Sequence, residues 1–352
     1  MRPLRNFNPS SRTRTGNRQG ASHSGFIGPC RGRQIRRPLT AVSTRKDLRP
    51  RRYGNPAFNT GRLGGPLRCC LTAFSGCPAE QLHKESVLHA DETPVAMLSP
   101  GKGKTHKAYV WAHTSTRFSN LNAVVYDFAP GRSGEHARAF LDGWQGNLVC
   151  DDFSSYKASF KQGITEIGCM AHARRKFFGL HVANQSTLAE YVLQQIGNLY
   201  EIESQIKALT TDQRKAIRQQ QSTPILDQLY QWLILQRQKV PNGSAIAKAI
   251  DYSVKRWKAL TRYCDDGDIP IDYNRVENQI RPWTLGRSNW LFAGSLRSGG
   301  RAANVMSLIQ SAKLNGHEPY VYLKDVLTRL LMQKNNRLDE LLPHSRVESL
   351  KG

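Results

Sequence analysis

Acidic side chains are in short supply in this sequence. Its 352 residues carry 27 Asp and Glu against 51 Lys and Arg, a formal charge of +24. The shortage is sharpest in residues 1–79, where Asp47 is the sole acid beside 15 Arg and one Lys. A balance this basic argues against a cationic partner and points to a polyanion, nucleic acid first and an anionic membrane surface second. Long apolar runs are missing as well. No stretch nears the ~18 residues of a membrane span, and the first 25 residues lack the apolar core of a secretory signal. The seven cysteines are odd in number and irregularly spaced, which excludes a disulfide scaffold and reads as free thiols in a reducing cytosol. Cys69, Cys70 and Cys77 lack a matching C-x-x-C pair, which weighs against a zinc site.

Residues 1–78 are rich in Arg, Ser, Gly and Pro without a sustained apolar period, and read as a disordered basic N-terminal segment. From Ala79 the texture changes. SVLHAD, HKAYVWAHTS and NAVVYDF read as three strands, each with β-branched or aromatic enrichment. A helix is expected from an N-cap at Ser133 to a stop at Gly143. NLVCD reads as a fourth strand, DFSSYKASF as a short helix, ITEIGCM as a fifth strand and AHARRKFFGL as a helix. This α/β order predicts a mixed five-stranded sheet with flanking helices, three antiparallel strands meeting two reached by helical crossovers. Residues 185–262 place apolar side chains at three- and four-residue spacing, the pattern of packed helices. DYNRVENQIR follows as a helix that Pro282 is expected to end. The expected division is 1–78 basic segment, 79–184 first part of the core, 185–264 helical insertion, 265–312 core helix and basic loop, and 313–352 C-terminal helices.

The stretch VLHADETPV ends an apolar run on Asp91 and Glu92. Buried carboxylates need compensation from solvent, a basic partner or a metal ion. Asp91 is expected at the end of the first strand, with Asp151 and Asp152 at the end of the fourth, its neighbour in the sheet. Because strand residues alternate faces, only one of Asp151 and Asp152 can face Asp91. Glu277 shares a helical face with Asn274 and Arg281. Three converging carboxylates repel one another unless cations share them, and two Mg²⁺ ions about 4 Å apart are a known solution for cleaving phosphodiesters. Magnesium accepts a few carboxylates plus water and phosphate, so a sparse acidic set suffices. The same residues also admit structural readings. A strand end can be solvated, Asp151 or Asp152 can cap the next helix, and Asn274 with Glu277 has capping-box spacing.

HADETPV, VCDDFSSY, GCMAHARRKFFGL, NRVENQIRPWTLGRSNWLFAGS, SAKLNGHEPYVYLKDVLTRL and RLDELLP together resemble the insertion sequence 66 family of bacterial transposases. The resemblance covers residues 79–345 in order and spacing. It implies an RNase H-like fold with a DDE triad that cleaves transposon ends and joins them to target DNA. Carried over, the triad is Asp91, Asp151 and Glu277, holding two Mg²⁺ ions with Mn²⁺ as a substitute. The family's Asp-Gly-Tyr stands here as Asp151, Asp152 and Phe153, which favours Asp151 as the ligand. The resemblance further implies a DNA-induced homodimer, small accessory proteins of the same element and a place at the bacterial nucleoid in the cytoplasm.

Residues 1–78 do not look like the family's N-terminal region. They read as an arginine-rich translation joined to an intact core, as after a frameshift, rearrangement or misplaced start. Their expected affinity for DNA is sequence-blind and salt-dependent. Two alternative functions follow: a non-catalytic DNA-binding remnant, and a general RNase H-like nuclease.

Phosphate contacts are expected from Arg174 and Arg175, which follow His172 on a helix, and from Arg281, Arg287, Asn289, Trp290, Arg297 and Arg301 in a loop-rich stretch. The competing reading makes Trp290, Leu291 and Phe292 core and the arginines solvated. Cys169 and His172 form a lone C-x-x-H pair, read as a buried thiol and a hydrogen-bonded imidazole rather than zinc ligands. His172 and Arg175 are expected near the scissile phosphate.

Overall fold

The computed structural model describes residues 78–345 apart from 153, 331 and 334. The basic segment expected at residues 1–78, with its four cysteines, lies outside the described residues except for Pro78. The strands are β1 (Val87–Ser99), β2 (Lys104–Ser115), β3 (Val124–Ala129), β4 (Asn147–Val149) and β5 (Thr165–Ile167). They form one sheet in the order β3-β2-β1-β4-β5. β1, β2 and β3 pair antiparallel, whereas β4 and β5 run parallel to β1. The mixed α/β sheet expected from the strand pattern, and from the RNase H-like resemblance, is therefore present, with strands one and four adjacent.

Helices α1 (Gly134–Phe140) and α2 (Lys157–Phe160) flank β4 in the chain, and α3 (Met170–Asn184) follows β5. Ser133 caps α1 as expected, its hydroxyl accepting from the Glu135 N–H at 3.2 Å. Five further helices fill the interval before the site helix. They are α4 (Thr187–Gln205), α5 (Thr211–Ile217), α6 (Thr223–Lys239), α7 (Ala245–Lys255) and α8 (Trp257–Thr261). Their buried stripe includes Val192, Ile196, Leu199, Leu229, Leu233 and Ile250. It joins the same apolar cluster as Val87, Val95 and Met97 of the sheet. Helices α9 (Asn274–Trp290), α10 (Leu296–Leu314) and α11 (Pro319–Arg329) follow, and a 3-10 segment (Asn335–Leu341) comes after them. Leu308, Ala312, Tyr322, Val326 and Leu338 form a satellite core at the C-terminal end.

Both edges of the sheet are covered, which removes the hazard of exposed ladder groups. Helix α10 lies on β3, and its Ser307 and Ser311 hydroxyls accept from the Tyr126 and Val124 N–H groups at 2.9 and 3.0 Å. The approach is close enough that a β-carbon on Gly299 would fall 2.3 Å from the Phe128 ring, so only glycine fits there. On the other edge, the Gly168 N–H after β5 donates to the Ala259 carbonyl at 2.8 Å, and Arg262 donates to the Glu166 carbonyl.

Two elements run further than expected. β1 continues through Pro94 to Ser99, so Asp91 lies within the strand rather than at its end. The Pro94 carbonyl accepts from Arg287 Nη1 at 3.0 Å, which turns that residue's polar side away from β2. On that side β4 has already ended at Val149, so the missing N–H leaves no ladder bond unmade. Helix α9 likewise runs through Pro282 to Trp290, making the expected loop-rich stretch largely helical. Proline removes the bond to the Asn278 carbonyl, but Asn278 is exposed and water can satisfy it. The buried stripe of Val276, Ile280 and Trp283 holds the helix on the sheet across the break. Among the described residues, no helix is long and apolar enough to cross a membrane.

Candidate active site

Alternation along β1 decides where the acids point. Val87, Val95 and Met97 belong to the core beneath α9, whereas Leu88 and Ala90 belong to the cluster on the opposite face. Asp91 therefore faces α9, and Glu92 faces away. In β4 the same parity holds, with Val149 on the α9 side and Leu148 and Cys150 on the other. The register pairs His89 with Val149. Carried two residues on, it sets Asp151 level with Asp91 and on the same face. Asp152 goes the other way, its Oδ1 lying 3.5 Å from Arg256 Nη1 and 3.8 Å from Lys157 Nζ. Glu277 approaches from the first turn of α9, a helix packed directly against β1.

The two acids of HADETPV meet opposite fates. Glu92 is nearly fully buried, and burial pushes its carboxyl up, but it accepts from Arg132 Nε at 2.9 Å and from Arg132 Nη2, which opposes that shift. The Tyr156 hydroxyl adds a longer contact at 3.4 Å. Asp91 has no such partner among the described residues; its Oδ1 accepts the Glu92 N–H at 2.8 Å. Its pKa is raised to about 8, first by burial and then by the neighbouring Glu92, Asp151 and Glu277 carboxylates, against the pull of that one N–H. The Glu277 carboxylate accepts from Arg175 Nη2 at 3.1 and 3.4 Å.

The capping-box alternative for Glu277 is not realised. The first turn of α9 is held by Asp272, which accepts the Asn274 N–H at 3.1 Å and the Asn274 side chain at 2.7 Å, leaving Glu277 out of any capping box. Helix α2 begins after Tyr156, which makes no side-chain cap bond.

The donor set suits a hard divalent cation, since Asp91, Asp151 and Glu277 offer carboxylate oxygens alone. The field that holds Asp91 protonated near neutrality is the imbalance such a cation would reverse. Among the described residues no three His, Cys, Asp or Glu side chains stand in a finished metal cage, and Glu277 is engaged by Arg175 instead.

Two neighbours escaped the sequence reading. Tyr273 is buried, its hydroxyl 3.1 Å from His172 Nε2, and burial followed by Asp91, Glu277 and Asp151 pushes its phenol up. Arg132, the partner of Glu92, sits in the APGRSG turn with no pattern to mark it. The C-x-x-H pair has the geometry of the structural reading. Cys169 is buried with its thiol pushed up to about 12 by burial, and His172 is half-buried between Tyr273 and Arg175, lowered by burial and then by Arg175.

The basic candidates lie on three helices. Arg174 and Arg175 are exposed on α3; Arg281 and Asn289 are exposed on α9, and Arg297 is exposed on α10. Arg287, Trp290 and Arg301 are half-buried, with Trp290 edge-on to Trp283 at 6.0 Å. The core alternative fails for the next two residues, because Leu291 is 64% and Phe292 41% exposed. Leu291 has φ 63° and ψ −53°, and the Phe292 N–H donates to the Trp290 carbonyl at 2.7 Å, a strained γ-turn that presents both side chains outward. Ala293 then docks on β1, bonding Ala96 and Leu98 at 2.8 and 2.9 Å. Leu291→Gly is expected to raise the unfolding free energy by about 1 kcal/mol in a denaturant titration by relieving this strain. A destabilised variant would show that the turn is not strained.

Residues 71–301 match the family described as "Transposase IS66 family", and residues 307–344 match "IS66 C-terminal element". Relatives occur in Sinorhizobium fredii (strain NBRC 101917 / NGR234). "Uncharacterized protein y4qI" is 36% identical over 263 residues, covering 71% of this chain and 49% of the relative. "Uncharacterized protein y4hP" is 33% identical over 275 residues, covering 73% and 50%. The chain thus spans about half the length of the curated relatives it matches. With well over half of its length aligned to the family's two segments, this chain belongs to the IS66 family of transposases.

Proposed function

We propose that this chain is the catalytic part of an insertion-sequence transposase, cutting DNA at element ends and joining it to target DNA. The observation that carries the reading is Asp91, which lies inside β1 on the face turned to α9, its carboxyl raised to about 8 first by burial, then by Glu92, with Asp151 and Glu277 adding less. Asp91, Asp151 and Glu277 are the proposed ligands of Mg²⁺, with Mn²⁺ as a substitute. The ions, when bound, supply the Lewis acidity that activates a water or 3′-hydroxyl and stabilises the leaving oxygen.

The chain's own groups prepare that chemistry. Arg132 pairs with Glu92 and ties down the second acid of the motif on the face turned away from α9. Arg175 holds Glu277 while no ion is present and is free to move to a phosphate oxygen when an ion takes the carboxylate. Tyr273 and His172 brace each other beside the acids. Arg281, Asn289 and Arg297 are placed to hold the DNA backbone, and the outward Leu291 and Phe292 offer apolar contact to base steps. Asp152, paired with Arg256, has a positioning role in the chain fold rather than at the reacting phosphate. A homodimer assembled on paired ends, accessory proteins of the element and residence at the nucleoid belong to the same proposal, as do the segment boundaries at 184, 264 and 312.

The test is incubation of the purified chain with Mg²⁺ and DNA carrying the ends of its own element, beside Asp91→Asn protein. Cutting at the ends followed by joining, lost in the variant, is the expected result. Cutting without end preference or joining would instead mark a general nuclease, and binding without cutting a non-catalytic remnant.

A further inference from the structure

A cavity of about 690 Å³ lies to one side of the carboxylates, and no role proposed so far accounts for it. Its walls include Arg174, Arg175 and Phe178 of α3, Gly197 and Tyr200 of α4, and Asn274 at the start of α9. Arg175 forms part of the wall and also bonds Glu277, so the cavity borders the proposed metal ligands.

Three features describe what would fit. Phe178 is a large apolar side chain left 47% exposed. The Arg174 guanidinium lies over one face of that ring, 5.6 Å from its centre, and has no carboxylate partner among the described residues. Together these make an aromatic ring with one face under Arg174, with Arg175, paired to Glu277, one residue on. The opposite wall is fixed, because the Tyr200 hydroxyl donates to Asp272 Oδ2 at 2.9 Å.

Gly197 is the third and independent feature. It lies in the interior of α4, where glycine is the least favourable residue apart from proline. No close contact demands it, for a β-carbon there would meet nothing within 4 Å. What its missing side chain preserves is open volume inside the cavity. The volume lies within the ~300–1,000 Å³ range of small-ligand sites. An aromatic platform, two guanidinium groups and kept space match a planar ring carrying a phosphate. A base stacked within a duplex is shielded from such a platform, so the ring must be unpaired.

We propose that this cavity receives an unpaired nucleotide of the DNA being processed, its base on Phe178 and its phosphate on Arg174 and Arg175. The proposal rests on the transposase reading above and adds a site to it. A phosphate there competes with Glu277 for Arg175 and so couples DNA seating to release of the carboxylate.

The test compares binding of a blunt duplex, the same duplex with a two-nucleotide overhang bearing 2-aminopurine, and free dAMP. The full chain is used, with Phe178→Ala and Gly197→Leu. Gly197→Leu fills the cavity from a helical position that accepts leucine, and an undiminished melting temperature verifies its fold. The overhang is expected to bind about tenfold tighter than the blunt duplex, as one stacked base provides, with quenching of 2-aminopurine. Both variants are expected to lose that advantage and the quenching while keeping blunt-duplex affinity. Equal affinity for overhang and blunt duplex in the unaltered chain, or an advantage that survives both variants, would overturn the cavity's role and leave the transposase reading standing. Binding of dAMP as tight as the overhang would assign the cavity to a free nucleotide and overturn the DNA-borne assignment. Failure to bind any DNA would sink both.

Discussion

Asp91→Asn is expected to yield a protein that is inactive and, without divalent ions, more stable than the unaltered chain at pH 8. The folded-state pKa of Asp91 is about 8, against ~3.9 in an unfolded chain. A raised pKa means that the folded state binds the proton more tightly. The stability it contributes is complete below about pH 4 and is lost progressively as pH climbs towards 8. Asparagine keeps the shape and cannot ionise, so it escapes that loss. Metal-free melts should therefore show the variant ahead by a few kcal/mol at pH 8 and level with the unaltered chain at pH 4. Adding Mg²⁺ at pH 8 should stabilise the unaltered chain and leave the variant unmoved. Metal-dependent cleavage should fall by on the order of 1,000-fold, the scale seen when a principal electrostatic stabiliser is removed. A variant less stable than its parent at pH 8 would show that Asp91 is an ordinary solvated carboxylate.

The largest effect on stability alone is expected at Arg218. This side chain is fully buried in a π-helical turn between α5 and α6, and it donates to both carboxylate oxygens of Glu203 at 2.7 and 2.8 Å. Its Nη1 also donates to the Tyr263, Asp266 and Ile269 carbonyls at 2.8–2.9 Å. One guanidinium thus ties α4 and the turn between α5 and α6 to the segment that feeds α9 and Glu277. Arg218→Met removes the two hydrogen bonds that hold Glu203, leaving it Arg117 at 3.8 Å, and takes a donor from the Tyr263 and Ile269 carbonyls, costing about 3–5 kcal/mol. Denaturant titration should register that loss, and melting should fall by roughly 10 °C. A double variant, Arg218→Met with Glu203→Leu, should recover part of it, because no uncompensated charge remains buried. If the single and double variants lose equally, the pair contributes packing alone. Cleavage should fall with the single variant as well, since α9 loses its anchor.

The features legible in the sequence are those encoded by local period. Alternating apolar residues in VLHAD and NLVCD place two acids on neighbouring strands, and parity allows only one of Asp151 and Asp152 to face Asp91. Asn274, Glu277 and Arg281 share a helical face by spacing, although the third acid's partnership with the strands depends on the resemblance. Other features are hidden because they depend on contacts distant in sequence. Pro282 reads locally as a stop, yet Val276, Ile280 and Trp283 packing on the sheet override it. β1 outruns its expected end because Pro94 faces a side with no ladder partner. Arg132 with Glu92 and Arg218 with Glu203 are pairings that no periodicity announces. The exposed Leu291 in its γ-turn reverses the hydrophobic rule locally, because its positive φ turns the side chain outward.

The central claim is that Asp91, Asp151 and Glu277 share divalent ions. Diffraction at the manganese edge from crystals grown with Mn²⁺ tests it most directly. The account predicts anomalous density bounded by these three carboxylates, with Arg175 withdrawn from Glu277. Density elsewhere, or ions that leave Asp91 without a ligand bond, would contradict it.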